Sequence, residues 1–127
     1  YGLSNIELIN HVPLKQLPSS IAPVQICLGI FGDTPKTTRV IPNKVYECMA
    51  MGKAIITADT PAMRELFVGQ EPPMVLIPRA NPAALAEAIR ELMSDPERCK
   101  KLGQDSAAFF KSNLSAVDIV ADLVKRI

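Results

Sequence analysis

No block of like charge runs through the sequence, and its 14 basic and 13 acidic side chains nearly cancel to a formal charge of +1. Nucleic-acid footprints and anionic-membrane patches need clustered cations, so neither contact is expected. No apolar run approaches the roughly 20 residues that cross a bilayer, and the opening residues are not expected to be a signal peptide. Cysteine is sparse: Cys27, Cys48 and Cys99 are widely spaced and odd in number, which suits neither a disulfide framework nor a zinc site. They read as buried or free thiols in a reducing, cytoplasmic compartment. Histidine occurs once, at His11, and reads as a loop residue. No carboxylate or His/Cys cluster has metal-ligand spacing, so no metal and no resident cofactor are expected. Repeats, low-complexity tracts and linkers are also missing.

What is present amounts to one domain: 127 residues, 48% of them hydrophobic, enough to bury about two-thirds of the unfolded surface. The first residue is Tyr1, so the expectation is a chain that begins partway through a longer protein. Proline is plentiful, 11 in all, and its placement marks structure. Thr60-Pro61, Asn81-Pro82 and Asp95-Pro96 each join a capping side chain to a proline at the first helical position, where the missing N–H had no partner anyway. After Asn81-Pro82, Leu85, Ala88, Ile89 and Leu92 form one apolar stripe of an amphipathic helix. Gly103 is expected to close a short helix begun at Pro96, with another over Gln104 to Lys111. Ser115 with Asp118 reads as a capping pair for a last helix.

Strand candidates are Ile6 to Ile9, Gln25 to Phe31, Ala54 to Thr57 and Met74 to Ile77. Three are almost continuously apolar, as strands covered on both faces are. Helical stretches over Leu14–Ile21, Pro42–Met51 and Pro61–Val68 separate them. The alternation predicts an α/β fold, a Rossmann-like parallel sheet with flanking helices, finished by a helical C-terminal tail.

Ligands of such sheets bind beyond the carboxyl ends of the strands. The informative end is Gly32-Asp33-Thr34-Pro35, followed by a basic loop through Lys36 and Arg39 into Pro42-Asn43-Lys44-Val45-Tyr46-Glu47. A helix starting at Pro42 offers free N–H groups and a partial positive charge to an anion such as a phosphate. Lys44 and Arg39 can reach the same phosphates. Glu47, one turn on, can accept two hydrogen bonds from a vicinal diol such as ribose. The plainer alternative is that Lys44 and Glu47 form a surface ion pair on an ordinary strand–loop–helix turn.

Several stretches resemble the retaining GT-B glycosyltransferases of the group 1 family, also called family four, in the later part of their C-terminal, donor-binding domain. Val12-Pro13-Leu14-Lys15-Gln16-Leu17-Pro18 with Ile21-Ala22 is similar to "V-P-x-x-x-L-x-x-x-x-A". The run from Pro42 through Lys44, Glu47, Met49, Ala50 and Gly52-Lys53 resembles "P-x-K-x-x-E-x-M-A-x-G-K-P-V-I". The run from Asn81-Pro82 to Asp95-Pro96-Glu97 and Leu102-Gly103 resembles the family's C-terminal block. The resemblance implies that residues 1–127 are a partial nucleotide-sugar-binding domain whose acceptor domain lies N-terminal to it. It implies that Glu47 holds the ribose hydroxyls of a UDP- or GDP-linked sugar. Asn43 to Val45 would face the diphosphate, and Val12 would lie near the base. The family's E-x7-E pattern departs here, with Arg39 where the first glutamate falls. Also implied are glycan or polysaccharide synthesis, an inactive fragment, association with the inner membrane face through the absent domain, and an apolar patch able to drive dimers.

Two alternatives stay open from the residues. One is a non-catalytic regulatory or interaction module, although the strand ends Asn10-His11 and Gly32-Asp33 lack the acidic pair of receiver-like domains. The other is a sugar-nucleotide epimerase on the same fold.

Overall fold

Three of the four apolar segments hydrogen-bond into a parallel sheet: β1 (Ile26–Leu28), β2 (Ala54–Ala58) and β3 (Val75–Ile77), in spatial order β1-β2-β3. The structure is a computed structural model and describes residues 2–126, without the side chains of Asp118, Asp122 and Arg126. Cys27 pairs with Ile55, and Thr57 with Leu76. Around the sheet lie a 3-10 turn (Leu14–Gln16) and α1 (Leu17–Ile21), then α2 (Pro35–Arg39), α3 (Asn43–Ala50), α4 (Pro61–Leu66), α5 (Pro82–Ser94), α6 (Pro96–Asn113) and α7 (Ala116–Arg126).

Every residue of β2 is buried, because the central strand is covered on both faces. Ile55 points to the side holding Cys27, Val45, Met49, Met63, Phe67 and Phe109. Ala54 and Ile56 point to the other side, where Ile77 meets Ala88 and Leu92 of α5. The result is a three-layer α/β sandwich, the fold class expected. Phe67 and Phe109 pack with ring centroids 4.8 Å apart.

The caps work as read: Thr60, Asn81 and Asp95 accept from the backbone N–H of Met63, Ala84 and Arg98 at 3.2, 3.0 and 3.0 Å. Three expectations are corrected. Residues 6–9 form no ladder with β1, β2 or β3. Their side chains are exposed, Leu8 at 92%, because a strand exists only beside a partner edge. The basic loop after β1 contains α2, opened by a capping box in which Thr34 and Thr37 exchange side-chain and backbone hydrogen bonds. Thr34-Pro35 is the same cap–proline signal used for the other helices.

Third, α6 runs unbroken through Gly103. A Cβ there would overlap the carbonyl oxygen of Gly52, so glycine serves the close approach of α6 to the end of α3. Gly52 itself has φ of +65°. The N–H groups of Gly52 and Lys53 close α3 onto the carbonyls of Met49 and Cys48, both at 3.0 Å, a Schellman ending. The pairing of Ser115 with Asp118 rests on a side chain outside the described residues. Apolar side chains stand exposed at Leu3, Ile6, Leu8 and Ile9 and along α7 at Val117, Val120 and Val124.

Candidate functional site

The carboxyl rim is shaped first by Gly29. A Cβ on it would overlap the Thr57 side chain, so only glycine lets the exit of β1 lie flat against β2. The Gly29 N–H reaches Ile56 O at 2.8 Å, and Ile30 O accepts from the Ala58 N–H at 3.0 Å. One residue further, Phe31 O accepts from the Ala80 N–H at 2.9 Å, and Asp33 pairs with Arg79 at 2.9 Å. The exits of β1 and β3 therefore meet beyond the end of β2. Asp59 turns away there and accepts two hydrogen bonds from Arg64, both at 2.7 Å. Those bonds hold its carboxyl below the usual carboxylate range.

Beside this closed end, α3 presents an open one. The helices α2, α4, α5 and α6 each have a side-chain cap, whereas α1 and α3 have none, and α3, which begins at Asn43 after Pro42, has no acidic residue in its first turn. The Val45 N–H turns back to Pro42 O at 2.9 Å. The N–H groups of Asn43 and Lys44 make no hydrogen bond within the chain, and the helix dipole makes them a seat for negative charge.

At 100° per residue, Val45, Cys48 and Met49 take the core face of α3, and all three are buried. Lys44 and Glu47 share the outer face, three residues apart. Lys44 is exposed and Glu47 half-buried. Neither enters any of the ion pairs of the described residues, which join 59 with 64, 33 with 79, 87 with 90, 91 with 98, and 101 with 105. The surface-pair alternative for Lys44 and Glu47 therefore has no contact behind it.

Arg39 ends α2 and lies elsewhere. It lines a groove of about 630 Å³ with Ile41, Tyr46, Glu65, Gln70 and Asn113. Tyr46 is 200° from Lys44 around α3, so Arg39 and Lys44 sit toward opposite flanks of that helix. Val12 is half-buried ahead of the 3-10 turn and makes no hydrogen bond to α3. Tyr46 and Glu65 were not singled out by sequence. Tyr46 adjoins Glu47 in the chain, but only the packing of α3 on α4 and α6 puts it in a groove. Burial raises the Tyr46 phenol above its usual range, so the hydroxyl keeps its proton at neutral pH. A further cavity of about 470 Å³ lies at the opposite end of the sheet, beside Gln25, Lys53 and Cys99. None of the residues expected to bind ligand lines it.

Cys27 of β1 and Cys48 of α3 face each other in the core. The Cys48 thiol is raised far above its usual range by donating to Cys27 and by burial. Cys27, which accepts, is lowered against the opposing effect of burial.

The family model described as "Glycosyl transferases group 1" matches residues 2–95, about three-quarters of the chain. The chain belongs to the group 1 glycosyl transferases. No curated protein sequence matches it. Among solved structures it is similar to the sucrose-phosphate synthase of Thermosynechococcus elongatus, with a TM-score of 0.72 and 19% sequence identity. The match covers 93% of this chain and 29% of that one, so this group 1 chain spans under a third of that protein. The likeness establishes the fold, a Rossmann-like portion of a GT-B architecture with a helical tail.

Proposed function

We propose that this group 1 chain is the donor-binding part of a retaining glycosyltransferase, seating a UDP- or GDP-linked sugar at the start of α3. The single observation that carries the reading is the uncapped N-terminus of α3, with Lys44 and Glu47 on one face and neither in an ion pair. A diphosphate there accepts from the Asn43 and Lys44 N–H groups and meets the Lys44 ammonium. Glu47 accepts from the two ribose hydroxyls, and the segment at Val12 borders the base. The sugar's bond to the diphosphate then breaks with the developing charge stabilised by this positive field, so catalysis rests on placement and electrostatics.

The acceptor belongs to a preceding domain, in a cytoplasmic protein of glycan synthesis that reaches the inner membrane face through that domain. Residues 1–127 alone bind donor weakly, with Kd on the order of millimolar, and transfer no sugar. A thermal-shift panel of UDP, GDP and ADP tests the binding. At ten times Kd a ligand adds about 1.4 kcal/mol, a rise of about 5 °C for a chain of this size. One of the first two nucleotides should give that rise in the wild type and a smaller one in Glu47→Gln. Equal rises in both proteins, or none, would defeat the reading.

A further inference from the structure

The donor site uses no cysteine, yet two of the three are neighbours in space. Cys27 is the middle residue of β1 and pairs with Ile55 of β2. Cys48 stands on the buried face of α3. The two elements pack directly, with Cα atoms within 8 Å of one another, and both thiols belong to the core that holds Val45, Met49 and Met63. Both are free, and Cys48 donates its thiol hydrogen to the Cys27 sulfur. A disulfide needs Cα atoms about 4.4–6.8 Å apart, a spacing within a small inward movement of α3.

The pair sits at the edge of that core. Met49, Ile55 and Met63 are 0% exposed, whereas Cys27 keeps 8% and Cys48 7%, so a molecule the size of water touches both residues. Their electrostatics differ in the way a reacting pair needs. The hydrogen bond from Cys48 favours the Cys27 thiolate, burial opposes it, and the Lys53 ammonium adds to it. Lys53 is fixed in that place: its N–H donates to Cys48 O at 3.0 Å and its ammonium to Ala22 O at 2.6 Å. Cys48 is held protonated by the same hydrogen bond and by burial. Cys27 is therefore the thiol that attacks, and Cys48 the one that resolves.

We propose that Cys27 and Cys48 form a redox pair, which a peroxide closes to a disulfide across the packing of α3 on β1. The Cys27 thiolate attacks one peroxide oxygen, the O–O bond breaks and hydroxide leaves, giving the sulfenic acid. The Cys48 sulfur then displaces the sulfenic oxygen, which departs as water with the Cys48 proton. The thiols are oxidised and the peroxide ends as water. Cys48 directly follows Glu47, so the bridge ties the helix carrying Asn43, Lys44 and Glu47 to the sheet. The bond-forming step is independent of the donor-site reading, and only its consequence for a nucleotide rests on it.

The test uses the 127-residue Cys99→Ser chain, which keeps only the two core thiols. Reduced, folded protein is treated with hydrogen peroxide, quenched with an alkylating reagent in denaturant, and read by intact mass and non-reducing peptide mapping. The expected product has lost two hydrogens, takes up no alkyl group, joins the Cys27 and Cys48 peptides and reverts with dithiothreitol. With Cys48→Ala added, the reaction should stop at a sulfenic acid on Cys27 that dimedone traps. With Cys27→Ala instead, Cys48 should stay a thiol. The amide signals of Asn43 to Glu47 should move on bridging, while those of α5 stay still. Two thiols that both alkylate after peroxide overturn the pair, as does a bridge that forms only in urea. A bridge that leaves the α3 amides unmoved overturns the coupling to that helix. If UDP and GDP bind neither the reduced nor the bridged form, the donor-site reading falls and the redox pair stands.

Discussion

Replacing Gly103 by alanine tests how α3 is held in place, because two effects of opposite sign compete at that position. In the middle of an exposed helix, Gly→Ala stabilises by about 1 kcal/mol through backbone entropy. Gly103 is mid-helix in α6, but its missing side chain is where Gly52 passes. An added Cβ would overlap Gly52 O, and would lie 3.0 Å from the Gly52 carbonyl carbon and 3.4 Å from that of Lys53. These are backbone atoms inside the Schellman ending of α3, so no rotamer change relieves the overlap. The helices must part, and overpacking of this kind costs about 1–3 kcal/mol or more. With the upper value offset by the helix gain, the net loss is about 2 kcal/mol. At about 4 °C per kcal/mol for this size, Tm should fall by about 8 °C in a calorimetric or circular-dichroism melt. A variant that melts at or above the wild-type temperature would refute the close approach of α6 to α3.

Three further outcomes are expected. In an enzyme containing both domains, Glu47→Gln should weaken donor binding by about 1–3 kcal/mol, and Lys44→Ala should lower kcat more than it raises KM. Neither should shift Tm, since neither side chain is paired. Native protein should expose one thiol to a dithiobis reagent, Cys99, and three after denaturation, because Cys27 and Cys48 are only 8% and 7% exposed. Cys99 should react slowly, since burial raises its thiol. The Asp59 carboxyl, lowered by the hydrogen bonds from Arg64, adds stability above its unfolded pKa and loses it as pH falls through the folded value. Urea midpoints of Asp59→Asn should therefore trail the wild type slightly at neutral pH and converge with it in acid. The effect is small because both partners are exposed.

Much of the fold was legible because its signals are local. A capping side chain followed by proline fixes a helix start without help from tertiary structure, and Thr60, Asn81 and Asp95 behave accordingly. The same logic applied to Thr34-Pro35 finds α2, which the basic character of residues 36–39 obscures. Gly103 misleads because its reason is Gly52, 51 positions away in the chain. The segment over residues 6–9 has a strand's composition, but strands depend on neighbours that composition does not supply. At the site, a helix starting near Pro42 with Lys44 and Glu47 one turn apart can be read from spacing. That these two side chains are unpaired, while Arg39 faces Tyr46 across a groove, depends on how α2, α3 and α4 pack together.

The central claim is that the open end of α3 takes the diphosphate of a nucleotide sugar, and a two-dimensional amide spectrum of isotopically labelled protein tests it most directly. On titration with UDP or GDP, the account predicts that the Asn43 and Lys44 amide signals move furthest, as their N–H groups acquire phosphate oxygens. Val45 should follow weakly, and the amides of Gln25, Lys53 and Lys100 at the opposite end of the sheet should stay still. Shifts centred on that opposite cavity, with Asn43 and Lys44 unmoved at saturating nucleotide, would contradict it.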